Sequence, residues 1–268
     1  TYIDIAAATY SDSLFTAKEL QLAINRFLEN PTDESLLAAK DAWTQARAPY
    51  QQTEVYRFGN EVVDSWEGKV NAWPLDEGLI DYVATSYGTE SDENGYYTAN
   101  IIAQPKLTIG GTMVDASHIS KAFLSETLHE IDEVESNVAS GYHAIEFLLW
   151  GQDLNGTNAG AGNRPFTDFV NGAGCTSGTI KADANTCVRR GQYLTVSTDM
   201  LIEDLQNMVA QWNPETEGNY RATLITEGQA GIKKALTGIG ELAGGELAGE
   251  RMRVALVAND PEDEHDCF

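Results

Sequence analysis

Apolar residues recur with the spacing of an α-helix along most of the chain. The first apolar stripe consists of Leu20, Ile24, Phe27 and Leu28. Asn30-Pro31 is a strong stop signal for this helix, and Thr32 or Asp33 provides an N-cap for a second one. Pro49 removes one backbone hydrogen bond, so we expect it to kink the second helix.

Helical periodicity returns in the second half of the chain. It predicts helices over about 117–140, 142–150, 188–212 and 225–258. The stripe of the first of these consists of Thr127, Ile131, Val134 and Val138, and Gly141 interrupts the pattern. The last stretch holds seven glycines between positions 228 and 249. Each glycine costs a helix about 1 kcal/mol relative to alanine, so we expect close helix contacts or helix breaks there.

Strand-type alternation is weak throughout the sequence. The best hairpin candidate is K-L-T-I-G-G-T-M-V at 106–114, where Gly110-Gly111 suits the turn. Residues 151–187 are rich in Gly, Asn and Thr, which indicates an irregular loop. We therefore predict an all-α fold of two packed helical bundles with at most a minor β-hairpin. The N-terminal bundle covers about 1–150 and the C-terminal bundle 188–268.

Length and charge narrow the functional classes. At 268 residues, 42% of them hydrophobic, the chain can form one or two domains with a real core. It carries 17 Lys and Arg against 41 Asp and Glu, a formal net charge of −24. We expect a solvated acidic surface to be the main cause of this excess. Such a surface repels polyanions and favours cations or basic partners, which predicts no nucleic-acid partner. No apolar stretch is long enough to span a bilayer.

The cysteines point to an oxidising compartment. Cys175 and Cys187 lie twelve positions apart in a polar loop, and the C-x₂-C spacing of a metal site does not occur. A short-loop disulfide is therefore favoured over a metal pair. Cys267 has no evident partner in the sequence. Because the chain opens at Thr1, we expect either a removed targeting segment or a trimmed chain.

The run G-Y-H-A-I-E-F-L-L-W-G at 141–151 carries the first candidate chemistry. A helix places His143 and Glu146 on one face, at i and i+3. An imidazole and a carboxylate on adjacent turns form half of a metal site. They also suit acid–base catalysis, in which the carboxylate orients the imidazole. The alternative is a simple hydrogen bond that satisfies both polar groups.

A second candidate lies in A-R-A-P-Y-Q-Q-T-E-V-Y-R-F at 46–58. If the kinked helix continues, one edge carries Arg47, Tyr50, Glu54 and Arg57. Two cations then flank a phenol and a carboxylate. The alternative is an exposed ladder of ion pairs, which contributes little to stability.

Two further acidic segments come under consideration. Asp76 and Glu77 follow Trp73-Pro74 at the start of a predicted helix, where a carboxylate also simply favours the helix N-terminus. The tail at 259–268 packs five carboxylates around His265 and suits either a bound cation or a solvated surface. The H-E-x-x-H, G-x-S-x-G, P-loop and dinucleotide-binding patterns do not occur.

These segments together resemble the imelysin family, peptidase family M75. The run at 141–151 resembles the family's GxHxxE signature, and four other segments match in the family's order. They are the run at 46–58, V-N-A-W-P-L-D-E-G-L-I-D-Y-V at 70–83, R-P-F-T-D-F at 164–169, and E-R-M-R-V-A-L with E-D-E-H-D-C-F at 250–268. In the family, further helical sequence follows the last segment. The resemblance therefore implies a truncated or cleaved chain with an incomplete second bundle.

The resemblance implies an all-helical protein with the GxHxxE region near the interface of its two halves. It also implies export to the periplasm or to the outer membrane as a lipoprotein, and a role in iron uptake. His143 and Glu146 are the signature pair. We expect Glu54, Arg57 and Asp76 to converge on it.

Three functions are compatible with these expectations. The first is an iron-acquisition protein that binds a metal ion, iron rather than zinc, or a metal complex. Its ligands are His143, Glu146 and a carboxylate of Glu54 or Asp76, and its partner is an iron-transport component. The nearby cations Arg47 and Arg57 and the phenol of Tyr50 suit an anionic ligand, such as a carboxylate-bearing chelate. The second is a metallopeptidase with His143 and Glu146 in catalysis, although no complete zinc ligand set is present. The third is a non-catalytic partner-binding module.

Overall fold

The computed structural model describes residues 1–89, 94–156, 158–183 and 185–258. The larger helices are α1 (Tyr2–Glu29), α2 (Asp33–Gln51), α3 (Glu61–Val70), α5 (Tyr142–Trp150), α6 (Thr186–Trp212), α7 (Tyr220–Glu227) and α8 (Gln229–Glu241). Two single turns, α4 (Glu77–Ile80) and α9 (Ala255–Ala258), complete the α-helices of the described residues. The all-α class is confirmed.

The boundary between the first two helices falls where the sequence predicts. Asn30 follows the last residue of α1, and Thr32 caps α2. The Thr32 hydroxyl accepts from the Ser35 amide at 3.1 Å, and the Ser35 hydroxyl accepts from the Thr32 amide at 3.0 Å. These two bonds satisfy donors that a helix start otherwise leaves open. Pro49 lies within α2, which ends two residues later at Gln51.

The core lies where α6 packs against α1, α3 and α5, while α2 packs against α1 and α5. The rings of Tyr10 in α1 and Trp212 in α6 stack at 6.0 Å, and both residues are fully buried. Trp66 of α3 meets Tyr10 edge-on at 5.9 Å. A helix from the second half of the sequence is therefore part of the same core as the first helices.

The helix predicted over 117–140 is wrong. Phe123–Leu128 forms a short π-helical turn and Ile131–Glu133 a 3-10 turn, with irregular chain around them. Glu130, Asp132 and Glu133 have φ of 53°, 64° and 59°, which no right-handed helix accommodates. Of the predicted stripe only Val138 is buried, while Ile131 and Val134 are half-buried and Thr127 is exposed, so the spacing does not mark a buried helix face.

The predicted hairpin is confirmed. Strands β1 (Lys106–Ile109) and β2 (Thr112–Asp115) pair antiparallel, with Ile109 opposite Thr112. Gly110 and Gly111 form the two-residue turn with φ of 54° and 79°. Positive φ at both turn positions is the geometry that twisted hairpins favour, which is why two glycines occur there.

The C-terminal glycines mark both a helix break and close helix contacts, as we expected. Gly228 ends α7 with φ of 58°. A methyl group at Gly231 would lie 2.5 Å from the Leu224 carbonyl oxygen, and one at Gly238 would lie 2.4 Å from that of Val55. Leu242–Val254 continues from α8 as a π-helical segment.

Two predictions fall outside this description. The acidic tail with His265 and Cys267 lies beyond residue 258, outside the described residues. The division into two bundles stays a prediction. Among the described helices, none has the length and apolar content needed to cross a bilayer.

Candidate functional site

Helix α5 begins at a position that only glycine fills. Gly141 has φ of 94°, and a methyl group there would lie 2.7 Å from the carbonyl oxygen of Val70 at the end of α3. The Trp43 indole of α2 donates to the Tyr142 carbonyl at 3.0 Å. These contacts hold the first turn of α5, which carries the candidate histidine, against α2 and α3.

His143 and Glu146 lie on one face of α5, as the spacing predicts. The His143 Nδ1 and the Glu146 Oε2 are 3.1 Å apart, with the side chains 18% and 40% exposed. The Trp73 ring lies 5.0 Å from the imidazole. The pair is thus partly shielded and open to solvent on one side. Its hydrogen bond is compatible with a ligand pair, an acid–base pair or two mutually satisfied polar groups.

Glu77 is a further site residue, although its position in the sequence predicts only a role at a helix start. Its Oε2 is buried and lacks a hydrogen-bond partner among the described residues. Burial raises the pKa of Glu77 to about 8; Arg164 opposes this rise, and the charges of Glu146 and Asp153 add to it. An enclosed carboxyl group therefore lies within electrostatic reach of the α5 pair. In the sequence, the only indication of this role is its position beside Asp76 in the W-P-L-D-E segment.

Asp76 has a structural role in the turn before α4. It is fully buried. Its Oδ1 accepts from the Gly78 amide at 3.1 Å and its Oδ2 from the Tyr96 amide at 2.7 Å. Burial raises the pKa of Asp76, and these amide bonds counteract the rise. The Oδ1 bond thus serves the helix start, which was the alternative that the sequence left open, and the Oδ2 bond connects that start to the segment at Tyr96.

The predicted line from Arg47 to Arg57 does not form one helical edge. Because α2 ends at Gln51, Glu54 lies in a 3-10 turn, Glu54–Tyr56. Its carboxylate binds the Arg251 guanidinium through both oxygens, at 2.6 and 3.0 Å. Arg57 lies 3.7 Å from carboxylate oxygens of both Asp64 and Glu67. Glu54 and Arg57 therefore both form ion pairs, Glu54 with Arg251 and Arg57 with carboxylates of α3.

Arg47 and Tyr50 remain on α2 and contact the residue before His143. The Arg47 guanidinium lies 5.0 Å from the centre of the Tyr142 ring, and the Tyr50 ring lies 4.8 Å from it. Arg47 also donates to the Asn71 side-chain oxygen. Burial holds the pKa of Tyr50 well above its usual value, so its phenol stays protonated. The structure thus places Arg47 and Tyr50 beside the N-terminal end of α5.

Two tryptophans and a lysine border the other end of the same face. Trp150 lies seven positions after His143, two helical turns along α5. Its ring packs edge-on against Trp43 at 5.3 Å, and the Lys40 ammonium lies 5.2 Å from its centre. Burial lowers the pKa of Lys40, and the charge of Arg164 lowers it further.

A fully buried ionic network lies beneath α5. Arg164 Nη1 donates to Asp81 at 2.6 Å and to Asp168 at 3.0 Å. Arg190 of α6 binds both oxygens of Asp81, at 2.6 and 3.0 Å. Although burial acts to raise it, the two guanidinium groups hold the pKa of Asp81 below its usual value. The Tyr82 hydroxyl donates to Asp168 at 2.6 Å. The sequence analysis missed this network.

This network connects the 151–187 loop to α5. The Arg164 amide donates to the Trp150 carbonyl at 2.8 Å, and its guanidinium reaches the Phe147 carbonyl at 3.4 Å. The predicted disulfide is present between Cys175 and Cys187, with Cα atoms 5.8 Å apart. Within the closed loop, Thr176 donates to Asp168 and Ser177 accepts from Arg190, each at 2.7 Å.

A model of the imelysin family, peptidase M75, matches residues 6–268. The chain belongs to the imelysin family. Iron-regulated protein A of Synechococcus elongatus is 32% identical over 80 residues, 30% of this chain and 20% of that protein. An iron-regulated protein A precursor from Parabacteroides distasonis has a solved structure with 17% identity and a TM-score of 0.59. That match covers 96% of this chain and 62% of the solved one, and it supports the fold alone.

The imelysin signature therefore occupies the first turns of α5, between Trp73 and the buried network. Within the part of the chain that the structure describes, no group of three or more His, Cys, Asp or Glu side chains is arranged to hold a metal ion.

Proposed function

We propose that this imelysin-family protein serves iron acquisition by binding a metal ion or metal complex as cargo at the His143–Glu146 pair. The observation that carries the proposal is the state of Glu77. Its buried Oε2 lacks a partner among the described residues, and the charges of Glu146 and Asp153 act on it. Without a cation such a carboxyl group keeps its proton, and a bound cation can take the place of that proton.

Iron fits this donor set better than zinc. Carboxylate oxygens predominate and one imidazole nitrogen is present, a combination that suits hard ions such as ferric iron. A zinc peptidase needs three protein ligands and an open position for water. The described residues hold no group of three such ligands, for zinc or for iron. A metal complex brings ligands of its own, whereas a peptidase depends on a protein ligand set, so we favour a binding protein over a metallopeptidase. Glu77 replaces Glu54 and Asp76 as the carboxyl candidate beside the His143–Glu146 pair.

Export to the periplasm or to the outer membrane is part of the proposal. The solved relative is named as a precursor. The Cys175–Cys187 disulfide requires an oxidising compartment. An iron-transport component would then receive the cargo.

Calorimetric titration of metal-stripped protein with ferrous, weakly chelated ferric and zinc ions tests this function. We expect one saturable iron site that His143→Ala abolishes and Glu77→Gln weakens at least ten-fold. Glu19→Gln, the same change on the exposed face of α1, serves as the control. Absence of binding by the wild type to all three, free or chelated, would overturn the proposal. Tighter zinc binding with chelator-sensitive proteolysis would favour the peptidase.

A further inference from the structure

Positive charge is scarce in this chain, yet two cations border the candidate site. Lys40 and Arg47 lie at i and i+7 of α2, against Trp150 and Tyr142 of α5. Within the described residues, neither has a carboxylate at ion-pair distance, although the chain carries 41 Asp and Glu. Asn71, which accepts a hydrogen bond from Arg47, donates through its side-chain amide to Glu67 at 3.1 Å, and Glu67 lies 3.7 Å from Arg57.

Helix α5 contacts both a basic and an acidic segment. It packs against α2, which carries Lys40 and Arg47, and against α4, which carries Glu77. Glu146 lies on α5 itself, beside His143. The face that carries the pair is therefore bordered by a basic side, with Lys40 and Arg47, and an acidic side, with Glu77 and Glu146.

Neither a bare cation nor a simple anion matches this arrangement. A trivalent aqua ion at His143 is attracted by the carboxylates but repelled by the two cations. A small organic anion is attracted by the two cations but repelled by the carboxylates. Because His143 and Trp150 are seven residues apart, about 10 Å along the helix axis, one molecule meets both the pair and Lys40 only if it is extended.

The chemistry that satisfies both sides is a metal complex with free carboxylates. Resting on the function proposed above, we propose that the site takes its metal as an anionic chelate. The metal faces His143 and Glu146, and carboxylates of the chelator pair with Lys40 and Arg47. The rings of Trp43 and Trp150 form the wall against which the chelator packs.

Ferric citrate, citrate alone and ferrous ion are the three probes that test this inference. The variants are Lys40→Gln, Lys40→Arg and His143→Ala, with Lys18→Gln on the exposed face of α1 as the charge-matched control. We expect wild-type protein to bind ferric citrate more tightly than either other probe. Lys40→Gln should weaken ferric citrate about two- to five-fold, as expected for one half-exposed ion pair, and leave ferrous binding unchanged or slightly tighter, because one repelling charge is removed. Lys40→Arg should retain the affinity.

The outcomes separate the inference from the function on which it rests. If Lys40→Gln binds ferric citrate as Lys18→Gln does, or if wild-type protein binds ferrous ion but not the chelate, the chelate inference is wrong and the metal-binding function stands. If no probe binds, both are wrong. Trp150→Phe gives a second measurement, because ferric citrate at this site should quench tryptophan fluorescence less in that variant.

Discussion

Arg164 and Asp81 form an ion pair of 2.6 Å in which both side chains are completely buried. It joins the loop after α5 to the chain after α4, across 83 positions of sequence. Burying two charges is costly, and the pair persists because Arg190 also binds Asp81 and Asp168 also accepts from Arg164. The Tyr82 hydroxyl donates in turn to Asp168. The network holds the C-terminal end of α5, the helix that carries His143 and Glu146.

Removing one charge from this network should destabilise the fold strongly. Asp81→Asn keeps the shape of the side chain but leaves Arg164 and Arg190 to share Asp168. We expect a loss of about 3–5 kcal/mol in the free energy of unfolding, measured by urea titration. Asp12→Asn, on the exposed face of α1, is the matched control and should change stability little. Equal stability of the two variants would show that the network contributes nothing.

This network also shows why part of the site could not be predicted. Its members come from three segments far apart in the sequence, at 81–82, 164–168 and 190. No spacing in the sequence identifies Asp81 as the partner of both arginines. Asp76 and Glu77 make the same point at closer range. The two adjacent carboxyl groups differ in function. Both oxygens of Asp76 accept from backbone amides, whereas the Oε2 of Glu77 is enclosed without a partner among the described residues. Only the tertiary packing decides this difference.

Local signals were more reliable. The Gly110-Gly111 turn, the Asn30-Pro31 stop and the His143–Glu146 spacing each depend on a few neighbouring residues, and the structure has all three features. The predicted helix over 117–140 failed because three acidic residues there adopt left-handed backbone conformations. Apolar spacing alone does not reveal such a conformation.

The disulfide should stabilise the loop that completes the network. A closed loop of this length contributes about 3 kcal/mol in the chain-entropy model. Replacing Cys175 and Cys187 by Ser should lower stability by about that amount. It should also accelerate trypsin cleavage after Lys181, which is exposed within the loop. Cys267→Ser, the same change at the third cysteine, should do neither. Unchanged cleavage in the double variant would mean that the network alone orders the loop.

Glu77 should make stability depend on pH. Its pKa rises from 4.5 to about 8 on folding, so between these values the folded protein retains a proton that the unfolded chain has lost. Stability due to this group is therefore complete below about pH 4.5 and decreases as the pH rises toward 8. Glu77→Gln should remove this component, so the variant should be more stable than wild type above pH 8. Parallel stability curves from pH 5 to 9 would contradict the assignment.

The start of α5 should not tolerate a side chain. Gly141→Ala requires a positive φ and forces a methyl group to within 2.7 Å of the Val70 oxygen. We expect a loss of more than about 1–2 kcal/mol and weaker cargo binding, because the first turn carries His143. Gly68→Ala in α3 is the control, since nothing lies within 4 Å of its added methyl group. Thermal melting and metal titration of both variants measure the difference.

Helix α8 offers a matched test of close packing, because two of its glycines differ only in their surroundings. A methyl group at Gly238 would lie 2.4 Å from the Val55 oxygen and 2.9 Å from that of Phe58, whereas nothing lies within 4 Å of one at Gly240. Gly240→Ala should therefore stabilise the protein by about 0.4–1 kcal/mol. Gly238→Ala should destabilise it and separate α8 from the segment that contains Glu54. Urea unfolding of the pair decides the matter, since equal gains at both positions would mean that α8 does not pack against residues 55–58.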